Sequence, residues 1–212
     1  MVLHHNLKGQ NMKLCYSPTS PYVRKVMVIA IETGLDAQIE ILTKNVWAPD
    51  TDMVSINPIG KVPALVLDNG NALFDSPVIC EYLDSIGNGG FFPKEGDVRW
   101  NALRLQALAD GVMDAAILRL LEGKRDEGTR SENWIARQKA AMERGLDALE
   151  NDLDSLSGNL TIGGITVGIM LSYLDFRFAV DHWRATRPGL ADWYEGFASR
   201  PSVVATEPKD PA

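Results

Sequence analysis

The sequence predicts a small α/β domain followed by an all-helical domain. Short apolar runs alternate with helical patterns in the N-terminal part of the chain. Beyond the glycine-rich segment "GNGGFFPKEGD" (87–97) the strand patterns stop, and long stretches with apolar residues at helical spacing follow. A composition of 45% hydrophobic and 23% charged residues among 212 is typical of a packed globular protein.

The elements of the N-terminal part follow the order strand, helix, strand, loop, strand, strand, helix. "MKLCYS" predicts a buried strand, and "PYVRKVMVIAIETG" predicts a helix with Val23 and Val26 on its apolar face and Gly34 at its end. "AQIEIL" alternates as a strand, and "PALVL" and "NALF" flank a hairpin turn at Asp68-Asn69-Gly70. In chain order the predicted elements are strand 12–17, helix 21–34, strand 37–42, strands 63–67 and 71–74, and helix 76–87.

The C-terminal part contains four helical patterns. Two are long and amphipathic, the third is apolar on nearly every side, as a helix buried in a bundle should be, and the last is short. These patterns cover 97–121, 131–156, 165–183 and 190–200. We expect a flexible extension over 1–11, an α/β domain over 12–87, a linker over 88–96, a helical domain over 97–207 and a tail over 208–212.

Charge and hydropathy argue against two classes of partner. The formal net charge of −7 and the pI near 5.0 disfavour nucleic acid, because binding a phosphate backbone requires a basic face. No run approaches the roughly 18 apolar residues of a membrane span, and the leader "MVLHHNLKGQN" has no apolar signal-peptide core. We therefore expect a cytoplasmic protein without a membrane or nucleic-acid partner.

The metal-binding residue types do not form a recognisable framework. Cys15 and Cys80 are too few for a disulfide scaffold, which fits a reducing compartment. His4, His5 and His182 do not have the spacing of zinc ligands, and the first two belong to a polar leader. The sequence predicts no metal and no bound cofactor.

Two strand-to-helix junctions carry a Ser-Pro pair. Serine is a favoured N-cap residue, and proline at the first helical position loses a donor that would be unpaired anyway. Capping alone explains Ser20-Pro21 and Ser76-Pro77 when each is taken singly. If both junctions lie at one end of a single sheet, however, two helix N-termini stand side by side and suit a ligand with two negative groups.

The Val62-Pro63 pair adds a third element. The trans isomer is the default, because only about 5–6% of X-Pro bonds in folded proteins are cis, and the cis isomer stays open here. A proline at the head of a strand ends the ladder. It can thereby leave the N–H and C=O groups of Val62 free to pair with a peptide-like ligand.

These residues carry a family resemblance. "SPTSPYVRKV", "NPIGKVPAL" and "LFDSPVICEYLD", at this spacing and before a helical domain, resemble the glutathione S-transferase family over nearly all of 12–207. "YLDFR" and "TEP" are similar to its bacterial serine-type subgroup. The resemblance implies a thioredoxin-like domain that binds glutathione as co-substrate and a helical domain that closes over a hydrophobic electrophile. It also implies a homodimer.

The resemblance assigns roles at the junctions. Ser20 would donate its O–H to the glutathione sulfur, because the thiolate is the nucleophile and needs stabilising. One charge-assisted hydrogen bond contributes about 1.5–3 kcal/mol, or about one to two pKa units. The main chain of Val62 would pair with the cysteinyl moiety. Asp75 would take the γ-glutamyl ammonium, and Ser76 would take the γ-glutamyl carboxylate.

Other positions are weaker candidates. Lys44 and Lys61 either take the glycyl carboxylate or are solvated surface charges. Asp110 either reaches the glutathione ammonium or belongs to a local network. Three residues at helical spacing either line the electrophile pocket or belong to the core: Trp100, Met113 and Trp183.

The catalytic assignment has an alternative within the same loop. Ser17 lies three residues before Ser20, and Ser20 is preferred because it directly precedes Pro21 and stands four residues before Arg24. Thiol-reductase relatives carry cysteine where Ser20 stands, so disulfide exchange through an enzyme thiol is disfavoured. Cys15 is expected to be a small buried hydrophobic residue.

The start of the buried helix departs from the family pattern. Many relatives have a capping box there, and here Thr166 is followed three residues later by Ile169, which cannot complete it. Ile165 and Met170 are expected to form a hydrophobic staple instead.

The sequence as a whole predicts a glutathione transferase that activates the thiolate for conjugation to a small electrophile. Two alternatives stay open. Glutathione-dependent peroxide reduction uses the same thiolate. A non-catalytic protein that binds a partner, such as the transcription machinery, is compatible with the same fold.

Overall fold

A computed structural model describes residues 11–210 of the chain, and the leader with His4 and His5 lies outside the described residues. The chain forms two compact units. Among the described residues, the first unit contains 11–90 together with 206–210, and the second is Phe91–Ala205. The division falls inside the predicted linker 88–96. Thr206 belongs to the first unit, where Arg24 Nε donates to its Oγ1 at 3.4 Å, and not to the helical domain expected over 97–207.

The first unit is a four-stranded mixed sheet with helices. Its strands are β1 (Met12–Tyr16), β2 (Ile39–Thr43), β3 (Ala64–Val66) and β4 (Ala72–Leu73), in the order β2-β1-β3-β4. Its helices are α1 (Pro21–Glu32), the short α2 (Met53–Ile56) and α3 (Ser76–Gly87), with α1 packed against α3. β1 and β2 are parallel, whereas β3 pairs antiparallel with β1 and β4. This is the predicted α/β fold, with α2 as an additional element in the polar loop.

Turn chemistry in the sequence fixes the ends of these elements. Gly34 has a left-handed backbone (φ +71°) after Thr33, the C-cap residue of α1, and Leu35 N then donates to Ala30 O at 2.8 Å. In the hairpin between β3 and β4, Gly70 (φ +82°) lets Leu67 N reach Asn71 O at 2.8 Å. Both turns were predicted from their glycines.

The second unit is all helical, as predicted. It contains α4 (Gly96–Gly123), α5 (Glu132–Glu150), α6 (Ile162–Phe178), α7 (Pro188–Ala198) and α8 (Pro201–Ala205). α6 is the central helix and packs against α4 and α7. Gly163 allows the close approach to α4, because a Cβ there would lie 2.6 Å from Ala102 O. The short α8 was not predicted.

The start of α6 differs from the start that the sequence predicts. The N-cap residue is Thr161, whose Oγ1 accepts from Gly164 N at 3.5 Å. Thr166 is therefore a buried residue inside the helix, where its Oγ1 donates to Ile162 O at 2.7 Å, and it has no capping role. Two glycines in the first turn concealed this start, because glycine has low helix propensity and adds no apolar face.

One stretch also corrects the expectation about membrane spans. Ile162–Asp181 is long and apolar enough to cross a membrane by length and composition. Most of its apolar window (72%) is buried inside the structure, which is the burial expected of a core helix.

Candidate functional site

The register of the sheet brings the predicted site residues to one end. Tyr16 at the end of β1 lies opposite Thr43 at the end of β2, and Ala64 at the start of β3 lies opposite Cys15. Because β4 is antiparallel to β3, its last residue also lies at this end, which we call the site end. The junctions at the site end contain Ser17, Ser20, Lys44, Lys61, Val62, Asp75 and Ser76.

Ser20 is the N-cap residue of α1, as its sequence predicts. Its backbone is extended, and its Oγ accepts from the N–H of Val23 at 3.3 Å. Its own N–H donates to Ser17 O at 3.2 Å, which closes the turn between β1 and α1. Since the capping bond uses Oγ as an acceptor, the hydroxyl proton can be donated to another group.

Helix α3 spans Ser76–Gly87, as predicted, but its N-cap residue differs from the prediction by one position. The N-cap position is occupied by Asp75, and Ser76 is the first helical residue, followed by Pro77. Aspartate is as good an N-cap residue as serine, so the sequence alone could not choose between the two. The Asp75 side chain is exposed and makes no capping bond within the described residues, whereas Ser76 is only 1% exposed.

The two helix starts with Ser-Pro pairs lie at the same end of one sheet. α1 follows β1 and α3 follows β4, and the two helices pack against each other. Their first N–H groups therefore converge on the site end, where the helix dipoles favour negative charge.

Val62 lies just outside the β3 ladder with its main chain available. No described residue hydrogen-bonds to its N–H or C=O group. Its half-buried side chain packs against a cluster that includes Cys15, Met53 and Ala64. The Val62-Pro63 bond is cis, so the default expectation of a trans bond is wrong here.

The two lysines at the site end are in different environments. Lys44 Nζ donates to Asp52 Oδ1 at 2.9 Å and to Oδ2 at 2.6 Å, and this hydrogen bonding lowers the pKa of Asp52 and raises the pKa of Lys44. Nothing in the local sequence pattern around Lys44 marks Asp52, eight residues away, as its partner. Lys61 is exposed.

Cys15 lies beneath the site end and is fully buried, as predicted. Burial raises the pKa of its thiol, so the thiol is neutral and a poor nucleophile at neutral pH. Within residues 11–210, no group of three His, Cys, Asp or Glu side chains is placed to hold a metal ion.

The candidates in the second unit lie on or after α4. Asp110 is partly buried on α4 and interacts with other residues. Met113 is fully buried, and Trp183 is buried with its Nε1 donating to Asp175 Oδ1 at 2.8 Å, so both belong to the core of this unit. Trp100 is 66% exposed and is not part of that core.

Comparison with known proteins identifies the family. The fold, a thioredoxin-like unit followed by a helical unit, is that of glutathione S-transferases, and family models for their N-terminal and C-terminal domains match residues 19–86 and 132–196. The chain belongs to the glutathione S-transferase family. It is 33% identical over 201 residues to the uncharacterized GST-like protein YibF of Escherichia coli (strain K12), covering 93% of this chain and 98% of that protein.

Solved structures of similar proteins contain glutathione. A glutathione transferase family member from Pseudomonas fluorescens Pf-5, with bound glutathione, is 40% identical with a TM-score of 0.90, over 93% of this chain and 99% of that one. A glutathione S-transferase from Methylobacillus flagellatus KT, also with glutathione bound, is 37% identical with a TM-score of 0.88, over 93% of this chain and 100% of that one.

Proposed function

We propose that this protein is a serine-type glutathione transferase, in which Ser20 stabilises the thiolate of bound glutathione for attack on a hydrophobic electrophile. The observation that carries the proposal is the position of the Ser20 hydroxyl. It caps α1 as an acceptor and can still donate a proton, at the end of the sheet where α3 begins and where the main chain of Val62 is unpaired.

The site end offers complementary groups for each part of glutathione. The main chain of Val62 pairs with the cysteinyl moiety in the manner of an added strand. The exposed carboxylate of Asp75 takes the γ-glutamyl ammonium, and the hydroxyl and N–H of Ser76, at the first position of α3, take the γ-glutamyl carboxylate. Lys61 is the better candidate for the glycyl carboxylate, since Lys44 already holds Asp52.

The chemistry follows from the stabilised sulfur anion. The free thiol is mostly protonated at neutral pH, because its pKa is about 8.5. A hydrogen bond from Ser20 Oγ favours the thiolate, and the thiol proton leaves to water. The sulfur electron pair then forms an S–C bond with the electrophile, whose leaving group departs with the displaced electron pair.

A homodimer and a cytoplasmic location are part of the proposal. The two described cysteines, Cys15 and Cys80, are buried and form no disulfide bond, which fits a reducing compartment.

The experiment is a pair of steady-state assays with glutathione, one on an activated aryl chloride and one on an organic hydroperoxide. The proposal predicts glutathione-dependent release of chloride and a rate that falls in Ser20→Ala. Activity on the hydroperoxide alone would assign the peroxidase alternative. If neither wild type nor variant binds glutathione, the result would favour a non-catalytic protein that uses the fold to contact a partner.

A further inference from the structure

We infer that Asn57 is a positioning residue of the glutathione site, whose side-chain amide sets the direction in which Val62 presents its main-chain N–H group. The inference rests on the proposed function, since it concerns the main-chain contact to the cysteinyl part of glutathione. It is carried by the hydrogen bonds inside the loop between α2 and β3.

Asn57 is the centre of that loop. It is only 2% exposed, and all of its polar groups are bonded within the loop and α2. Its N–H donates to Met53 O at 2.8 Å, and its C=O accepts from Gly60 N at 2.8 Å. Its side-chain Oδ1 accepts from Ile59 N at 3.1 Å, and its Nδ2 donates to Lys61 O at 2.8 Å. An amide that is buried and bonded at both ends holds one orientation.

The bond to Lys61 O acts directly on Val62. The C=O of Lys61 and the N–H of Val62 belong to one peptide group, and this peptide is trans, since the cis bonds of the described chain are elsewhere. In a planar trans peptide the C=O and N–H groups point in opposite directions. By holding the C=O toward the inside of the loop, Asn57 turns the N–H of Val62 away from the loop, where no described residue accepts it.

Gly60 makes this geometry accessible. Its left-handed backbone (φ +66°) reverses the chain between Asn57 and Lys61, so that a side chain can reach a carbonyl four residues later. The segment "NPIGKVP" carries part of the family resemblance, and the structure gives its first residue, Asn57, a physical role.

The test uses Asn57→Ala and compares glutathione binding with turnover. The substitution leaves the Lys61 C=O without its buried donor, so the Val62 peptide can rotate. We expect the Kd and KM for glutathione to rise about tenfold, which corresponds to about 1.4 kcal/mol. The pKa of the bound thiol is expected to stay within about 0.3 unit of wild type, and kcat at saturating glutathione within about twofold, because Val62 binds the ligand and does not contact the sulfur.

A second variant, Asn57→Asp, preserves the shape of the side chain. The ionised carboxylate has no donor for Lys61 O, whereas the protonated carboxyl group has one O–H donor and one acceptor, as asparagine does. Because the side chain at this position is buried, the pKa of the introduced carboxyl group is raised above its ordinary value of about 3.9. We therefore expect the loss in glutathione affinity to shrink as the pH falls from about pH 8 to about pH 4.5, with wild type measured in parallel. A loss that is constant over this range would contradict the assigned hydrogen bond.

The matched control is Asn101→Ala in the second unit. Asn101 also donates from Nδ2 to a main-chain oxygen, Ser155 O at 3.0 Å, and accepts at Oδ1, from Arg104 at 2.8 Å. The Asn101→Ala substitution should lower the free energy of unfolding without changing glutathione affinity. An equal loss of affinity in Asn101→Ala and Asn57→Ala would overturn the positioning role.

The outcomes separate this inference from the proposed function. If wild type does not bind millimolar glutathione, the proposed function fails and the inference fails with it. If wild type binds glutathione and both Asn57 variants bind it with wild-type affinity, only the inference is overturned.

Discussion

The helices α1 and α3 begin at the same end of one sheet, yet their first turns are completed in different ways. In α1 the Ser20 side chain accepts the N–H of Val23. In α3 the N-cap side chain of Asp75 makes no such bond within the described residues and is exposed to solvent. The capped start presents a hydroxyl proton, which suits a sulfur anion. The start of α3 presents the Asp75 carboxylate beside the first N–H groups of the helix. This pair suits the ammonium and the carboxylate of a γ-glutamyl group.

A third helix start shows which part of this difference is functional. Ser131 caps α5 in the second unit, and its Oγ accepts from Trp134 N at 3.2 Å, as Ser20 Oγ accepts from Val23 N. Capping geometry is therefore common to both units. What distinguishes Ser20 is its place at the site end, so Ser131 is a matched control for every experiment on Ser20.

The largest effect on glutathione affinity is expected from a substitution of Asp75 at the start of α3. Asp75→Asn keeps the size of the side chain and removes its charge, and we expect glutathione affinity to fall about 10- to 100-fold, as for the loss of one charged hydrogen bond. Calorimetric titration measures this change. A glutathione analogue without the γ-glutamyl amino group should bind wild type and variant equally. A variant that discriminates against the analogue as wild type does would show that Asp75 does not contact the ammonium.

A smaller effect on glutathione affinity is expected from Ser76→Ala. The buried hydroxyl is one neutral group among the donors of the first turn, and its N–H remains in the variant, so glutathione affinity should fall about fivefold. The same titration measures it. An effect as large as that of Asp75→Asn would mean that the hydroxyl, and not the open helix start, dominates binding of the γ-glutamyl carboxylate.

The smallest effect concerns stability and is shared by the two capped starts. Ser20→Ala and Ser131→Ala each lose one capping bond, so each should lower the free energy of unfolding by about 1 kcal/mol and the thermal midpoint by about 2–4 °C. Thermal unfolding followed by circular dichroism measures both. A Ser20 variant as stable as wild type would show that its hydroxyl does not cap α1 in solution.

The sequence predicted the fold well, and its Ser-Pro pairs marked two helix starts that lie at one end of the sheet, because element ends depend on local patterns. Turn glycines such as Gly34 and Gly70 and the Ser-Pro pairs mark element ends within a few residues of chain. The pattern was ambiguous where two residues serve equally well, as with Asp75 and Ser76 at the start of α3. It failed at Thr161, where glycines hide the first turn of α6.

The rest of the site depends on contacts that no local pattern records. The cis isomer of Val62-Pro63 is set by the folded surroundings, since the dipeptide itself favours trans. The pairing of Lys44 with Asp52 depends on how the loop between β2 and α2 folds back. The reach of Asn57 to Lys61 O likewise requires the left-handed backbone at Gly60.

The most direct test of the account is the pKa of the bound glutathione thiol in wild type, Ser20→Ala, Ser17→Ala and Ser131→Ala, followed by thiolate absorbance at about 240 nm as the pH is varied. The account predicts that all four bind glutathione and that Ser20→Ala alone raises the thiol pKa, by about one to two units. Equal thiol pKa values in wild type and Ser20→Ala would contradict the central claim. A rise in Ser17→Ala instead would move the catalytic role to Ser17.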